Sequence, residues 1–345
     1  MSNTMKHPAK IDVAVLLLFF TRTDSIQKVF DEVRRARPSR LFLYQDGPRN
    51  ERDLAGIEAC RRIVADDQID WQCEVHRNYQ TVNQGCDPSG FRSHKWALSL
   101  ADKVIILEDD VVPSQSFFPF CKEMLDRYEH DERIAMVAGF NTDEITKDAS
   151  ADYFFTSFPS IWGWATWRRV ARQWDDQYGF MDDADAVRLM ERLAKQRGYR
   201  NTMMQMFRDH SKSGKEYFET IDWANMILNS GLCIMPAKNL VSNVGISADS
   251  THFGAELLTM PRRLRRLFTM PRYELQFPLR HPKYVIEDVG YKERRYRVLG
   301  WNHPWVKIGY SLEELWLNLR AGNFAFIWRS VKRRVRKWTG RDRHT

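Results

Sequence analysis

Long hydrophobic runs are missing from this chain, and its cysteines are sparse. The longest early apolar stretch, Val13 to Phe20, is too short to span a bilayer, and no signal-peptide cleavage pattern follows it. The five cysteines are odd in number and do not have the spacing of a zinc site, which argues against a disulfide framework and favours a reducing compartment. We therefore expect a cytoplasmic protein in which Val13 to Phe20 forms a buried strand.

A glycine-rich phosphate loop is also missing, because Thr21 to Ser25, after the first apolar run, contains no glycine. The formal net charge of +8 is unevenly spread: Trp328 to Arg343 contains eight lysines and arginines against Asp342 alone. Next to the apolar residues 324–327, this segment is typical of a peripheral anchor on the anionic inner face of the cytoplasmic membrane; a solvated tail is the open alternative. No recognition motif accompanies the charge, so we expect no nucleic-acid partner.

Strand and helix patterns alternate through the first third of the chain. Apolar runs predict strands, and apolar residues at helical spacing, such as Ile26, Val29 and Phe30, follow them. The predicted strands lie at 13–20, 41–44, 71–76 and 104–107. This alternation predicts an α/β fold with a Rossmann-like, mostly parallel sheet and helices on both faces. Ligands bind beyond the carboxyl ends of the strands in such sheets.

The later part of the chain is less regular. Strands are predicted at 134–138 and 153–158, and a short helix is predicted to begin at Asp222. From about Leu257 onward the sequence becomes rich in proline and arginine. We therefore predict a main α/β domain at 1–256 and a helical, basic C-terminal extension at 257–345.

The clearest candidate for a functional site is an acidic triplet, Glu108, Asp109 and Asp110, at the end of the apolar run Val104 to Leu107. Three adjacent carboxylates repel one another unless a cation or hydrogen-bond donors compensate them. Mg²⁺ and Mn²⁺ prefer oxygen ligands, and Mg²⁺ is commonly held by one or two carboxylates together with phosphates and water. An acidic helix N-terminus beside Pro113 is the alternative that the triplet alone leaves open.

Several short segments together resemble bacterial nucleotide-diphospho-sugar transferases of the GT-A type, particularly those similar to eukaryotic N-acetylglucosaminyltransferase I. Their order and spacing over residues 11 to about 254 make the combination more specific than any one of them, and the C-terminal region has no part in it. The matching segments are FTRTD (20–24), YQDGP (44–48), NQGC (83–86), LEDD (107–110) with Pro113 and Phe117-Phe118, WGWATWRR (162–169), SN (242–243) and THFG (251–254).

In that family the acidic triplet holds the donor. The resemblance implies that Asp110 is the direct ligand of Mn²⁺ or Mg²⁺, that Asp109 lies against the ribose or a metal-bound water, and that Glu108 contacts the donor sugar. It also implies that Arg22 and Asp46 contact the nucleotide base and ribose. Without the resemblance, Asp46 is the start of an Asp-Gly-Pro turn and Arg22 is a surface charge.

Inverting transfer also needs a carboxylate that takes a proton from the acceptor hydroxyl. Asp222, in the segment 219–223, is the residue that best matches the family's base. The sequence departs from the family's commoner pattern, because Ile221 precedes the acid where a tryptophan is usual. This departure leaves Glu219 as a rival, and a plain helix N-cap remains the alternative for Asp222.

Three further residues are candidates for contact with the donor. Gly163 would let the backbone approach the donor closely, and Trp164, in the dense aromatic cluster 162–169, would offer a stacking surface for a sugar. Burial at the start of a helix is the alternative for the tryptophans. His252 lies in a segment that resembles a mobile loop over the nucleotide sugar and would touch the diphosphate; a satisfied surface or core histidine is the alternative.

These expectations combine into a metal-dependent, inverting glycosyltransferase that moves a sugar from a nucleotide-diphosphate donor to a cell-surface carbohydrate or a lipid-linked acceptor. A sugar nucleotidyltransferase is the closest enzymatic alternative, although it would normally carry the glycine-rich loop that is missing here. A third alternative is a catalytically silent, membrane-associated protein that keeps the fold and binds sugar nucleotides.

Overall fold

The computed structural model describes residues 6–245, 259–324 and 328. The strands are β1 (Ile11–Phe19), β2 (Pro38–Gln45), β3 (Glu74–Tyr79), β4 (Lys103–Glu108), β5 (Val111–Pro113), β6 (Ile134–Ala138), β7 (Tyr153–Thr156), β8 (Trp164–Trp167), β9 (Leu232–Pro236) and β10 (Val241–Asn243). The helices are α1 (Thr23–Ala36), α2 (Leu54–Ile63), α3 (Cys86–Leu100), α4 (Phe117–Arg127), α5 (Arg168–Ala171), α6 (Ala184–Leu193), α7 (Arg197–Ser213), α8 (Phe218–Leu228), α9 (Arg262–Phe268), α10 (Val289–Val298) and α11 (Pro304–Arg320).

Eight of the strands form one sheet in the order β3-β2-β1-β4-β8-β6-β9-β7. β3, β2, β1 and β4 are parallel, β8 is antiparallel to both of its neighbours, β6 and β9 are parallel, and β7 is an antiparallel edge strand. α3 and α4 both pack on the central strands β1 and β4. The predicted α/β fold, with a mostly parallel sheet flanked by helices, is therefore confirmed.

The middle parts of the central strands are continuously apolar because both of their faces are covered. Val15, Leu16 and Leu17 in β1 and Ile105 and Leu107 in β4 have no exposed surface. Continuous apolar runs of this kind are typical of strands buried on both faces of a parallel sheet. Each such side chain stabilises the fold by about 1.5–3 kcal/mol relative to an exposed position.

The order of the strands creates a switch point between β1 and β4. From β1 the chain moves to β2 and then to β3 on one side, and it returns to place β4 on the other side of β1. Crevices at the carboxyl ends of strands that flank such a point bind ligands in doubly wound sheets. The acidic triplet begins at Glu108, the last residue of β4, so it lies at this crevice.

A small two-stranded sheet lies beside the acidic triplet. β5 begins directly after Asp110 and pairs antiparallel with β10, with Val111 opposite Asn243. The pairing continues beyond β10, where the N–H of Val244 donates to the carbonyl oxygen of Asp110 over 2.8 Å. This ribbon fixes the backbone next to Asp110 and brings Gly245 against its side chain.

Part of the predicted C-terminal extension shares the core of the main sheet. Leu275, Leu279, Tyr291 and Tyr296 belong to the same hydrophobic cluster as the central strands. The Tyr291 hydroxyl also lies 3.0 Å from Oγ1 of Thr142. The predicted boundary at residue 256 lies outside the described residues, and the division into two regions stays a prediction.

Within residues 6–245 and 259–324, no helix combines the length and the apolar character needed to cross a bilayer. Most of the basic segment 328–343 lies outside the described residues, so its predicted role as a peripheral anchor stays a prediction.

Candidate active site

A cavity of about 830 Å³ opens at the carboxyl ends of β1, β2 and β4. Four of the residues selected from the sequence line it: Arg22, Asp46, Glu108 and Asp109. The cavity thus gathers side chains that lie up to 87 positions apart in the sequence, because the carboxyl ends of parallel strands meet at one edge of a sheet.

Arg22 forms ion pairs with two members of the acidic triplet. Its Nη2 lies 2.7 Å from Oδ1 of Asp109, and its Nη1 lies 3.0 Å from Oδ2 of Asp110. The N–H of Phe20 donates to the other oxygen of Asp109 over 3.1 Å. The structure therefore places the guanidinium of Arg22 between the acids, where it compensates their charge.

Burial dominates the electrostatics of this cluster. It raises the pKa of Asp109 to about 6, although the nearby charge of Arg22 acts in the opposite direction. Burial, together with the charges of Asp110 and Glu219, raises the pKa of Glu108 well above its ordinary value. Burial alone would lower the pKa of Arg22, but the two aspartates outweigh it and raise that pKa. The site therefore favours an additional positive charge.

Asp110 has one carboxylate oxygen that is suited to a cation. Its Oδ2 accepts from Arg22, whereas its Oδ1 is buried and has no hydrogen-bond partner among the described residues. No three side chains of His, Cys, Asp or Glu form a metal-binding group in that part of the chain. The residues fit a site of the kind Mg²⁺ commonly uses, in which one carboxylate is joined by substrate phosphates and water.

Gly245 lies so close to Asp110 that a larger residue would displace the carboxylate. A Cβ atom at Gly245 would stand 1.9 Å from Oδ2 of Asp110. The backbone carbonyl of Gly245 also accepts from Nη1 of Arg22 over 3.4 Å. The absence of a side chain here lets the end of the β5–β10 ribbon pack directly on the acidic cluster.

Asp46 uses its carboxylate to hold a loop at the mouth of the cavity. Oδ1 accepts from the backbone N–H groups of Gly47 and Gln84, at 2.8 and 2.9 Å. Oδ2 accepts from Nδ2 of Asn83 and from the N–H of Gly85, at 2.8 and 3.0 Å. Four donors on two oxygens favour a role in positioning the segment 83–85, rather than direct contact with a nucleotide.

Replacing Asp46 by alanine is expected to destabilise the protein by about 3 kcal/mol. The substitution leaves one buried and three part-buried donors without their acceptor, and each loss at a buried donor costs about 1–3 kcal/mol. Urea unfolding of the variant and of the unmodified chain measures the difference. Asp24→Ala is the matched control, because Asp24 is an exposed carboxylate on the wall of the same cavity. Equal destabilisation by both substitutions would contradict the positioning role.

The two candidates for the base both lie on α8, in different environments. α8 begins at Phe218, so Asp222 is inside the helix; the predicted helix start at Asp222 is wrong, and so is the alternative that Asp222 is a helix N-cap. Asp222 is 5% exposed, and its Oδ2 has no hydrogen-bond partner within the described ranges. Burial, with a smaller contribution from the charge of Glu219, raises the pKa of Asp222 well above its ordinary value.

Glu219 is the more accessible of the two carboxylates. It lies in the first turn of α8 and is part-exposed. Burial and the charge of Asp87 raise the pKa of Glu219 to about 7. Its charge also acts on Glu108 and on Cys86, both of which line the cavity. Glu219 is therefore close to the acidic cluster, while Asp222 is enclosed in the protein.

Trp164 and Gly163 have structural roles that differ from the predicted contacts with a donor. Trp164 lies in β8 at 1% exposure, with its ring edge-on to His94 at 5.3 Å between centroids, so it cannot stack on a sugar. Gly163 has a φ of +60°, and a Cβ there would stand 2.8 Å from Cγ1 of Val241 and 3.2 Å from Cγ1 of Val111. It allows close packing of the β5–β10 ribbon. His252 lies outside the described residues.

The cavity also contains basic residues that the sequence analysis missed. Lys28, Arg49 and Arg52 line its wall, and Arg49 pairs with Asp53 at 2.7 Å. Each of these basic residues follows the carboxyl end of β1 or β2 by no more than nine positions. That position, combined with positive charge, is the signal that could have identified them as candidates for binding an anion.

No protein-family model and no curated protein sequence matches the chain. Among solved structures, the inositol-1-phosphate CTP transferase from T. maritima is 11% identical, with a TM-score of 0.36, over 75% of this chain and 96% of that one. A mycobacterial protein is 13% identical, with a TM-score of 0.28, over 47% of this chain and only 55% of its own length. A UDP-glucose pyrophosphorylase complexed with UDP-glucose is 11% identical, with a TM-score of 0.26, over 46% of this chain and 78% of that one. Similarities this weak establish neither a substrate nor a reaction.

Proposed function

We propose that this chain is a metal-dependent, inverting glycosyltransferase that moves a sugar from a nucleotide-diphosphate donor to a carbohydrate or a lipid-linked acceptor. The observation that carries the proposal is the cluster of Arg22, Asp109 and Asp110 at the switch point between β1 and β4. The volume of the adjoining cavity, about 830 Å³, falls within the range found for pockets that bind small molecules and cofactors.

Different residues of the cavity are assigned to different parts of the donor. We assign Lys28 and Arg52, which line the cavity, to the charge of the diphosphate, and we assign part-exposed Glu108 to the donor sugar, from which it would accept hydrogen bonds. Asp110 would hold Mn²⁺ or Mg²⁺, which when bound neutralises charge on the departing diphosphate. Arg22 keeps Asp109 and Asp110 together in the absence of a donor.

We assign the base to Glu219, with Asp222 as the alternative. The oxygen of the acceptor hydroxyl forms a bond to the anomeric carbon, the bond from that carbon to the diphosphate breaks, and the hydroxyl proton passes to the base. A base must be accessible to the acceptor and ionised when it acts. Glu219 meets these requirements better, because it is part-exposed with a pKa of about 7, whereas Asp222 is enclosed and tends to keep its proton.

Nucleotidyl transfer is the second candidate, and it is the activity that the names of two similar structures express. It would require the site to bind a nucleoside triphosphate and to release pyrophosphate. The connection between β1 and α1 consists of three residues, Phe20 to Arg22, and contains no glycine. So short a connection does not provide the glycine-rich loop that usually surrounds a triphosphate, and this supports glycosyl transfer over the alternative.

Calorimetry with and without Mn²⁺ tests the proposal. We expect at least one of UDP, GDP and TDP, or a sugar derivative of these, to bind only when the metal is present. Release of a nucleoside diphosphate from the bound sugar nucleotide would then support glycosyl transfer, whereas release of pyrophosphate from a triphosphate and a sugar phosphate would support nucleotidyl transfer. Failure of all these nucleotides to bind would contradict both.

A further inference from the structure

Helix α11 carries an exposed apolar face that the proposed activity does not use. At 100° per residue, its large exposed apolar side chains fall within an arc of about 100°. They are Trp305, Ile308, Leu312, Leu315, Trp316 and Leu319. Trp305 is 81% exposed and Leu312 is 62% exposed. A contiguous apolar stripe of this kind on a surface helix indicates an interaction site, rather than scattered surface residues.

The other sides of α11 contact the protein and fix the direction of this face. The N–H of Arg262 in α9 donates to Oε1 of Glu313 over 3.0 Å, and the Tyr310 hydroxyl donates to the carbonyl oxygen of Val298 over 2.8 Å. Asn318 is buried and donates to the carbonyl oxygen of Glu314. The helix is therefore held in place by its polar side, and the apolar stripe points away from these contacts.

We propose that α11 lies on an anionic membrane surface and inserts its apolar stripe at the boundary between headgroups and acyl chains. Tryptophans near both ends of the stripe, Trp305 and Trp316, suit this boundary, because their rings are apolar with a polar N–H. Separated from the end of the helix by seven residues, the sequence 328–343 adds eight basic residues against one acid, which are complementary to anionic lipid. Apolar insertion and a basic segment are the two signals that stable peripheral binding requires.

The same charge argues against a second copy of this chain as the occupant. Two copies joined through α11 would combine two segments that each carry eight lysines and arginines, and this added positive charge opposes a dimer. An anionic surface would instead attract the basic segment. The proposal is independent of the proposed function, because it involves no residue of the cavity.

Co-sedimentation of the full chain with lipid vesicles tests the proposal. Vesicles of phosphatidylcholine are compared with vesicles in which about one third of the lipid is phosphatidylglycerol. We expect binding to the anionic vesicles that weakens as salt is added, and at least about tenfold weaker partitioning for Leu312→Glu. Leu193→Glu is the matched control, because Leu193 is 67% exposed on the unrelated helix α6, and it should bind like the unmodified chain.

Several outcomes would overturn the assignment. One is equal binding of the Leu312→Glu and Leu193→Glu variants; another is equal binding to neutral and anionic vesicles. A third is a dimer in sedimentation velocity that Leu312→Glu disperses, with no binding to vesicles. Thermal unfolding confirms that the variants are folded, and Trp316→Ser replaces Leu312→Glu if the latter is not.

Discussion

Asp110→Ala is expected to abolish the metal-dependent binding of a nucleotide diphosphate, with an affinity loss of about 100-fold or more. Asp110 offers the buried, unpartnered carboxylate oxygen of the acidic cluster, so its removal leaves a cation without its protein ligand. Loss of partners that merely orient metal ligands already costs about 10–100-fold in affinity, and a direct ligand should cost at least as much. Calorimetric titration of the variant with UDP, GDP or TDP in the presence of Mn²⁺ measures the effect.

The control for this variant is Asp67→Ala, which removes an equal charge from an exposed position outside the cavity. It should bind the nucleotide as the unmodified chain does. Mn²⁺ alone should bind weakly to the unmodified chain, because Arg22 already occupies one oxygen of Asp110. If Asp110→Ala binds the nucleotide with unchanged metal dependence, the acidic cluster does not hold the donor's diphosphate.

The sequence was sufficient for the fold because its central strands are extreme in composition. Val104 to Leu107 is a run of apolar, mostly β-branched residues that ends in three acids, and a strand buried on both faces is the structure that suits it. The alternation of such runs with amphipathic segments leaves few arrangements other than a parallel sheet. These are local signals, and β1, β2 and β4 follow them closely.

Where the sequence misled, tertiary structure outweighed a local signal. The segment 164–167 suggested a helix start or a sugar platform, but it forms β8, a strand inside the sheet that buries all of its side chains. Pro88 and Gly90 are residue types that favour loops, yet both lie in the first turns of α3, where a proline needs no N–H partner. Phe218 packs on Gly90, which explains the glycine as a point of close contact between α3 and α8.

Prediction of the candidate site from sequence has a similar limit. Topology brings Arg22, Asp46 and the acids to one sheet edge, because all of them lie at or after the ends of parallel strands. It could not predict which side chains pair: Arg22 binds Asp109 and Asp110, and Asp46 is committed to the segment 83–85. Pairing depends on side-chain geometry that spacing in a sequence does not contain.

Glu219→Gln is expected to lower the rate of sugar transfer by about 10²–10⁴-fold while nucleotide binding is retained. This is the usual contribution of a positioned acid or base, and the substitution removes only the ability to accept the proton. Release of the nucleoside diphosphate from the donor identified by calorimetry, with water in place of the acceptor, gives the rate. Asp222→Asn is the comparison: a carboxyl group that is enclosed and protonated loses little when it is replaced by an amide of the same shape, so a change below about tenfold is expected.

The pH dependence separates the two candidates further. Because a base acts when ionised, the rate should rise with pH through about 7, the pKa of Glu219, and then level off. This rise should disappear in Glu219→Gln and persist in Asp222→Asn. Nucleotide affinity is measured over the same pH range. This separates any effect that ionisation of Asp109, with its pKa of about 6, has on binding from the effect of Glu219 on the rate. If Asp222→Asn stops transfer and Glu219→Gln does not, the base is Asp222, and the acceptor must reach the enclosed carboxylate through a movement of α8.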